Sequence, residues 1–303
     1  MRVGVTGSSG FLGSAIVEAL EERGDEVVRF VRPATGYAPG TVVRWDPKAG
    51  EVDDGDLRRV GGFDAVVNLA GAGIADRRWT AERKRTVLTS RTESTDLLVR
   101  AISSTDTGTT ILLSGSAIGF YGSRGAEPID ESALPGNDFL AQVCIAWEAA
   151  ASKLGERGAG VALLRTGIVM STQGGALKKQ LPLFRIGLGG ELGSGHQWLS
   201  PISLMDEVRA VLWVIDHRSS GPINLTAPIS ITNADFTKEL ALQLHRPARF
   251  NVPAVALRLV LGAQLTEEAV LASQRVEPRA LLESGFSFRH PDVAAILRAT
   301  LST

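Results

Sequence analysis

Three glycines define the first chemistry open to this chain. Val3-Gly4-Val5-Thr6 reads as a short apolar strand that runs directly into Gly7-Ser8-Ser9-Gly10-Phe11-Leu12-Gly13. Gly7 permits the tight bend, Gly10 lets the main chain approach a pyrophosphate with no side chain in the way, and Gly13 lets the next helix sit close to the strand. Ser14 to Leu20 read as that helix, with Ile16, Val17 and Leu20 facing inward and its N-terminal amides facing the phosphates. A second strand at Glu26–Val31 completes the unit. The spacing therefore predicts a dinucleotide cradle built from Gly7, Gly10, Phe11, Leu12 and Gly13.

The end of the second strand selects among dinucleotides. A carboxylate there would accept hydrogen bonds from the adenosine ribose, whereas an arginine accommodates a 2′-phosphate. The strand ends Phe30-Val31-Arg32-Pro33, with no carboxylate and one guanidinium fork, so the expected cofactor is NADP rather than NAD. Asn68-Leu69-Ala70-Gly71 then closes the third strand with a small-residue turn suited to main chain passing beside the adenosine, which adds Leu69, Ala70 and Gly71 to the binding set. Positive charge gathers at Arg77-Arg78, Arg83-Lys84-Arg85 and Arg91. Residues six apart on a helix do not share a face, so Arg85 and Arg91 cannot both reach one phosphate. Arg91 is the one expected near the cofactor, and the others read as a solvated face.

The elements that must position these residues alternate. Strand-like runs at Arg2–Thr6, Glu26–Val31, Ala65–Leu69, Thr110–Ser114 and Val161–Arg165 alternate with helical stretches, including Thr80–Ser103 with an inward stripe of Val87, Leu88, Leu97, Leu98 and Ile102. This predicts an α/β fold, a Rossmann-type doubly wound parallel sheet with a smaller C-terminal α/β substrate lobe. The dinucleotide-binding domain is expected over 1–170 with contributions from about 203–226, and the substrate lobe over 171–202 and 227–303. In that lobe Pro222–Thr226 reads as a strand, and Asn233–His245, Ala254–Leu271 and Val293–Leu301 as helices.

Composition narrows the partners. The chain has 303 residues, a hydrophobic fraction of 44% and a net charge of −1, enough to bury a large core and too balanced to attract nucleic acid or anionic lipid. Its single cysteine, Cys144, forbids an internal disulfide, and His196, His217, His245 and His290 lack metal-ligand spacing, so no metal site is expected. The N-terminus opens on a core strand rather than a secretory leader, no run matches a membrane span, and a cytoplasmic location is expected. The expected partner is a small-molecule substrate, and the sequence carries no signal for oligomeric state.

Taken together, Thr6–Gly13, Asn68–Gly71, Trp79 with Ser90-Arg91, Ser114–Gly122, Asp138–Ala141 to Trp147-Glu148, Arg165–Met170 and the stretch Gly174–Trp198 resemble the extended short-chain dehydrogenase/reductase superfamily. The resemblance is strongest to its atypical epimerase-like branch, whose members are often labelled nucleoside-diphosphate-sugar epimerases and in some cases cell division inhibitors. It implies that Arg32, Leu69-Ala70, Arg91 and the backbone near Ile168 line an NADP site. It also exposes a loss. Where most of the superfamily carries a tyrosine and a lysine four residues apart, this chain has Cys144 and Glu148, and a glutamate raises rather than lowers a neighbouring acid's pKa. Cys144 reads as core, and the usual dyad does not carry over.

The resemblance further implies a catalytic serine at the end of the fourth strand, within Ser114-Gly115-Ser116-Ala117-Ile118-Gly119-Phe120-Tyr121-Gly122. Ungapped matching through Tyr121-Gly122 puts Ala117 at that position, and a one-residue slip puts Ser116 there. Ser116 is preferred, because its hydroxyl can bond a carbonyl or hydroxyl beside the nicotinamide. Tyr121 is the nearby phenol that could replace the missing acid; the alternative is a tyrosine packed in the turn. In the second lobe Leu192–Trp198 combines flexible backbone with an amide and an indole, suited to a polar cyclic ligand, or it is a glycine-rich loop with one packed tryptophan. Branch members commonly have a second tryptophan and a histidine where this chain has Pro201-Ile202-Ser203, followed by Met205-Asp206 in place of paired aspartates. Two functions follow: an NADP-dependent oxidoreductase or epimerase-like enzyme acting on a small polar carbonyl or carbinol compound such as a nucleotide sugar, or a catalytically silent NADP(H)-binding sensor.

Overall fold

The chain is described by a computed structural model covering residues 1–33, 42–105 and 110–302. Its first part runs β1 (Arg2–Thr6), α1 (Phe11–Glu22), β2 (Glu26–Val31), β3 (Val42–Asp46), β4 (Glu51–Val52), α2 (Asp54–Val60), β5 (Ala65–Asn68), α3 (Ala81–Thr105), β6 (Ile111–Ala117), β7 (Pro128–Ile129), α4 (Phe139–Gly155), β8 (Gly160–Thr166) and β9 (Ile168–Met170). It continues through α5 (Gly175–Arg185), β10 (Gly190–Leu192), β11 (Trp198–Leu199), β12 (Pro201–Ser203), α6 (Leu204–His217), β13 (Gly221–Leu225), β14 (Ile231–Thr232), α7 (Asn233–Leu244) and β15 (Phe250–Val252). The last elements are α8 (Ala254–Leu261), α9 (Ala263–Leu265), β16 (Arg275–Val276), α10 (Arg279–Glu283) and α11 (Val293–Leu301).

Eight strands form one sheet in the order β13-β8-β6-β5-β1-β2-β3-β4, parallel throughout except for the antiparallel β3–β4 pair. From β1 the chain winds outward through β2 and β3, then returns to the other side of β1 for β5, β6, β8 and β13. The switch point therefore lies between β1 and β5, where open parallel sheets leave a ligand crevice beyond their carboxyl ends. This is a Rossmann-type α/β fold. Helices cover both faces: α1 and α6 pack on Val3, Val5, Ile111, Leu113 and Leu164, while α3 and α4 pack on Val66 and Leu112 through Leu98, Ile102, Ala151 and Leu154. Residues alternate between these faces along each strand, as the two-residue period of a strand requires.

A second apolar cluster gathers α5, α7 and α11 through Leu177, Leu181, Phe184, Phe236, Leu240, Ile296 and Leu297. It is stitched to the sheet by Gln274, whose Nε2 donates to the carbonyls of Ile118 (2.9 Å) and Gly122 (3.1 Å) while its amide donates to Trp198 (3.0 Å). Parallel pairing of β16 with β7 continues the seam. Two sequence expectations change. The run expected as one helix over Ala254–Leu271 is α8, α9 and a π-turn over Thr266–Val270, because Gly262 adopts φ +93° and ends the first piece. The fourth predicted strand extends to Ala117, because Gly115, Ser116 and Ala117 keep register with Leu164, Arg165 and Thr166. Among the described residues no helix is long and apolar enough to cross a membrane.

Candidate active site

The glycine loop has the shape its spacing predicts. Gly7 sits at φ +64°, and a Cβ there would come within 2.8 Å of the Leu69 carbonyl oxygen. At Gly13 a Cβ would lie 2.1 Å from the Gly7 carbonyl oxygen, so no side chain fits. The Gly10 amide closes the turn onto that same oxygen at 2.9 Å. Helix α1 starts with neither a side-chain cap nor an acidic residue in its first turn, which leaves its leading amides without a side-chain acceptor. Phe11 lies at this start and faces Gly174, where a Cβ would meet its ring at 2.5 Å, so the loop is in contact with the start of α5. Leu12 is half-buried beside it.

The turn after β5 is held from beneath by buried hydroxyls. Thr6 Oγ1 donates to Asn68 Oδ1 (2.8 Å) and accepts from the amides of Leu69 (3.0 Å) and Ala70 (3.1 Å). Asn68 Nδ2 donates to Thr95 Oγ1 (2.8 Å), which also accepts from the Trp147 indole (3.0 Å). Arg91 packs above this turn. Its Nη1 donates to the Ala72 carbonyl (2.9 Å), its guanidinium lies 5.0 Å from the Trp147 ring centre, and a Cβ on Gly71 would come within 3.1 Å of its Cζ. Burial, with Arg83's like charge as a smaller contribution, holds the Arg91 pKa below the ordinary guanidinium value. Arg32 is exposed immediately beyond β2. Ile168 begins β9, and its amide is already committed to the Ser200 carbonyl (2.9 Å).

The ends of β6 and β8 form a connected polar network. Ser116 is buried and donates to Glu148 Oε1 at 2.6 Å. Arg165, its register partner on β8, holds both carboxylate oxygens of Glu148, Nε to Oε1 and Nη2 to Oε2 at 2.9 Å each. The remaining nitrogen, Nη1, donates to the Tyr121 hydroxyl (3.0 Å), and Tyr121 donates in turn to Asn224 Oδ1 (2.7 Å). The Phe120 ring stacks on the guanidinium at 3.6 Å. Burial opposes the Arg165 charge, but the bonds to Glu148 outweigh it and its pKa rises.

This network takes in Tyr121, read from the sequence either as a replacement acid or as a tyrosine packed in the turn: it has 0% exposure, and its hydroxyl is used in both directions. Burial pushes its pKa up to about 12 against the pull of Arg165, so it is the packed tyrosine of the turn. Cys144 sits at the end of the same network, and burial first, then the Glu148 charge, push its thiol up to about 11. Gln197 is also committed, its side-chain amide donating to the Leu192 carbonyl of its own loop (2.9 Å).

Two residues escaped the sequence reading. Arg165 appears there only as a strand end, although it neutralises Glu148 from seventeen residues away. Glu207, in the first turn of α6, is the other: its Oε1 accepts from Thr166 Oγ1 (2.9 Å), and its Oε2 has no partner among the described residues. Neither pairing has a local sequence signal, since both depend on how a helix crosses a strand.

Known proteins share this architecture. The family described as NAD dependent epimerase/dehydratase matches residues 3–226, and a domain of unknown function, DUF1731, matches residues 252–300. Epimerase family protein Mb2239 of Mycobacterium bovis is 42% identical over 296 residues, covering 97% of this chain and 96% of its own. The chloroplastic SDR39U1 homolog of Arabidopsis thaliana is 35% identical over 99% of this chain and 87% of its own. The crystal structure of human epimerase family protein SDR39U1 with NADPH superposes with a TM-score of 0.90 at 31% identity, over 100% of both chains.

Proposed function

The chain belongs to the NAD dependent epimerase/dehydratase family, and from that premise we propose that it binds NADP(H) and exchanges a hydride with a small polar carbonyl or carbinol compound. The observation that carries the reading is the cradle at α1. Gly13 closes the loop onto the start of the helix, Gly10 leaves main chain bare for a pyrophosphate, and the helix start presents leading amides that no side chain caps. Arg32, exposed at the end of β2, suits a 2′-phosphate, which a carboxylate in that place would repel. The NADPH in the human relative agrees with this choice. Bound there, NADPH supplies or accepts a hydride at its nicotinamide.

The chain's own residues do the rest. Leu69, Ala70 and Gly71 form the wall beside the adenosine, with Arg91 behind them. Ser116 stands at the carboxyl end of β6 and positions the substrate oxygen, its hydroxyl oriented by the fixed Glu148 carboxylate. Both Glu148 oxygens are held by Arg165, so the carboxyl is fixed in place to orient Ser116. Nucleotide sugars are the first substrate class to test. A sensor without turnover is the second reading, favoured by the high proton affinities of Cys144 and Tyr121.

Calorimetric titration with NADPH and NADH tests the proposal. NADPH should bind at least about tenfold tighter than NADH, and Arg32→Ala should erase most of that preference, since a charge-assisted bond contributes about 1.5–3 kcal/mol. No saturable uptake of either nucleotide overturns both readings. Uptake of NADPH with no hydride exchange across a broad panel of ketones and nucleotide sugars leaves the sensor.

A further inference from the structure

Reduction of a carbonyl needs a proton as well as a hydride, and the groups that supply it elsewhere in the superfamily are absent here. Ser116 donates to a Glu148 that Arg165 holds on both oxygens, so no proton stands behind it; Tyr121 is enclosed, and the Cys144 thiol holds its proton tightly. On the opposite face of the same strand ends lies a different arrangement. Thr166, register partner of Ala117, is half-buried at the carboxyl end of β8, the side on which open parallel sheets leave their crevice, and its hydroxyl donates to Oε1 of Glu207, which is only 2% exposed. Resting on the hydride-transfer reading above, we propose that Glu207 and Thr166 form a two-group proton relay into the crevice, with Glu207 as the buried store and Thr166 as the group that faces substrate.

Among the described residues no charge stabilises an anion at Glu207, its second oxygen has no partner, and the bond that favours ionisation is the one from Thr166. The elements packed most closely on α6 are β6, β9, β12 and α1. Strands β6, β9 and β12 carry no ionisable side chain, and Glu18, Glu21 and Glu22 of α1 are exposed. On α6 itself, Asp206 is turned to Arg209 and to the amides of Arg289 and His290, Asp216 to Arg23, and His217 lies on the Trp213 ring. Arg165, beside Thr166 in sequence, points to the other face and is held by Glu148. Burial accordingly pushes the Glu207 pKa up to about 8, so that the carboxyl carries a proton at neutral pH.

The step balances. The carbonyl carbon takes a hydride with its two electrons from NADPH, and the carbonyl oxygen takes the Thr166 hydroxyl proton. Thr166 oxygen simultaneously takes the Glu207 proton, so two O–H bonds break and two form, leaving an alcohol, NADP+ and a Glu207 carboxylate. Water in the emptied crevice returns the proton through the same hydroxyl. Glu207 acts through Thr166 and is a positioning residue; Thr166 touches the substrate.

Infrared spectroscopy of the NADPH complex tests this without turnover. The wild type at neutral pH should show a protonated-carboxyl band that Glu207→Gln lacks, and that carboxyl should exchange its proton for deuterium from solvent. In Thr166→Val the band should persist while its exchange slows by at least about tenfold, and Thr166→Ser should restore the rate. Should Thr166→Val fail to fold, Thr166→Ala gives the same comparison. A missing wild-type band, or equal exchange with and without the hydroxyl, overturns the relay. NADPH uptake measured in the same samples reports separately on the cofactor reading.

Discussion

Arg165 and Thr166 are consecutive residues pointing to opposite faces of the sheet, and each meets a buried glutamate. On the α4 face Glu148 receives three bonds from Ser116 and Arg165. On the α6 face Glu207 receives one, from Thr166. Both carboxyls are withdrawn from water, at 6% and 2% exposure, and burial drives Glu207 to hold a proton near neutrality. The contrast shows that equal depth leaves two acids with very different donors and countercharge. One strand end thereby carries an ion-paired carboxyl and a neutral acid a residue apart.

Three perturbations break or sharpen this contrast. The largest effect is expected from Arg165→Met, which strands the Glu148 charge and should cost about 3–5 kcal/mol in urea unfolding, with Glu148→Leu in the same chain recovering most of it. An unchanged midpoint would show that the pair is not the anchor of this site. The second concerns pH. Glu207 has a folded pKa of about 8 against an ordinary value of 4.5, so between these values the native state binds more protons than the unfolded chain. Stability from this group is complete below about pH 4.5 and is lost as pH rises through about 8. Glu207→Gln should flatten that slope, and parallel slopes in the two proteins would remove the neutral acid from the account. The smallest effect is expected from Ser116→Ala, a loss of about 1.5 kcal/mol from one donor to a charged acceptor. Infrared bands of the Glu148 carboxylate should shift with it, and an identical spectrum would separate Ser116 from that network.

The loop from Thr6 to Gly13 was legible because its constraints are local: a strand, a bend and a helix start dictate glycine at fixed offsets. The inward stripe of α3 was legible for the same reason, through its helical period. Long-range pairings were not. The fate of Glu148 depended on Arg165 arriving from the neighbouring strand, and a serine beside a carboxylate looks the same in sequence whether or not that charge is neutralised. Tyr121 was ambiguous because a phenol in a glycine turn has no signature for enclosure; the seam to Asn224 encloses it. The break in the run from Ala254 depended on reading Gly262 as a stop within an apolar stretch, where texture alone continued the helix.

The position of β13 at the rim of the sheet has a consequence for synthesis. Its sole partner in the sheet, β8, is made well before it, with α5, the β10–β12 strands and α6 intervening. Until residues 221–225 leave the ribosome, the backbone of Gly160–Thr166 presents an uncovered row of donors and acceptors, a template for pairing with other chains. A fragment ending near residue 170 would keep the nucleotide cradle but aggregate along that rim, and a fragment reaching just past residue 225 would close it.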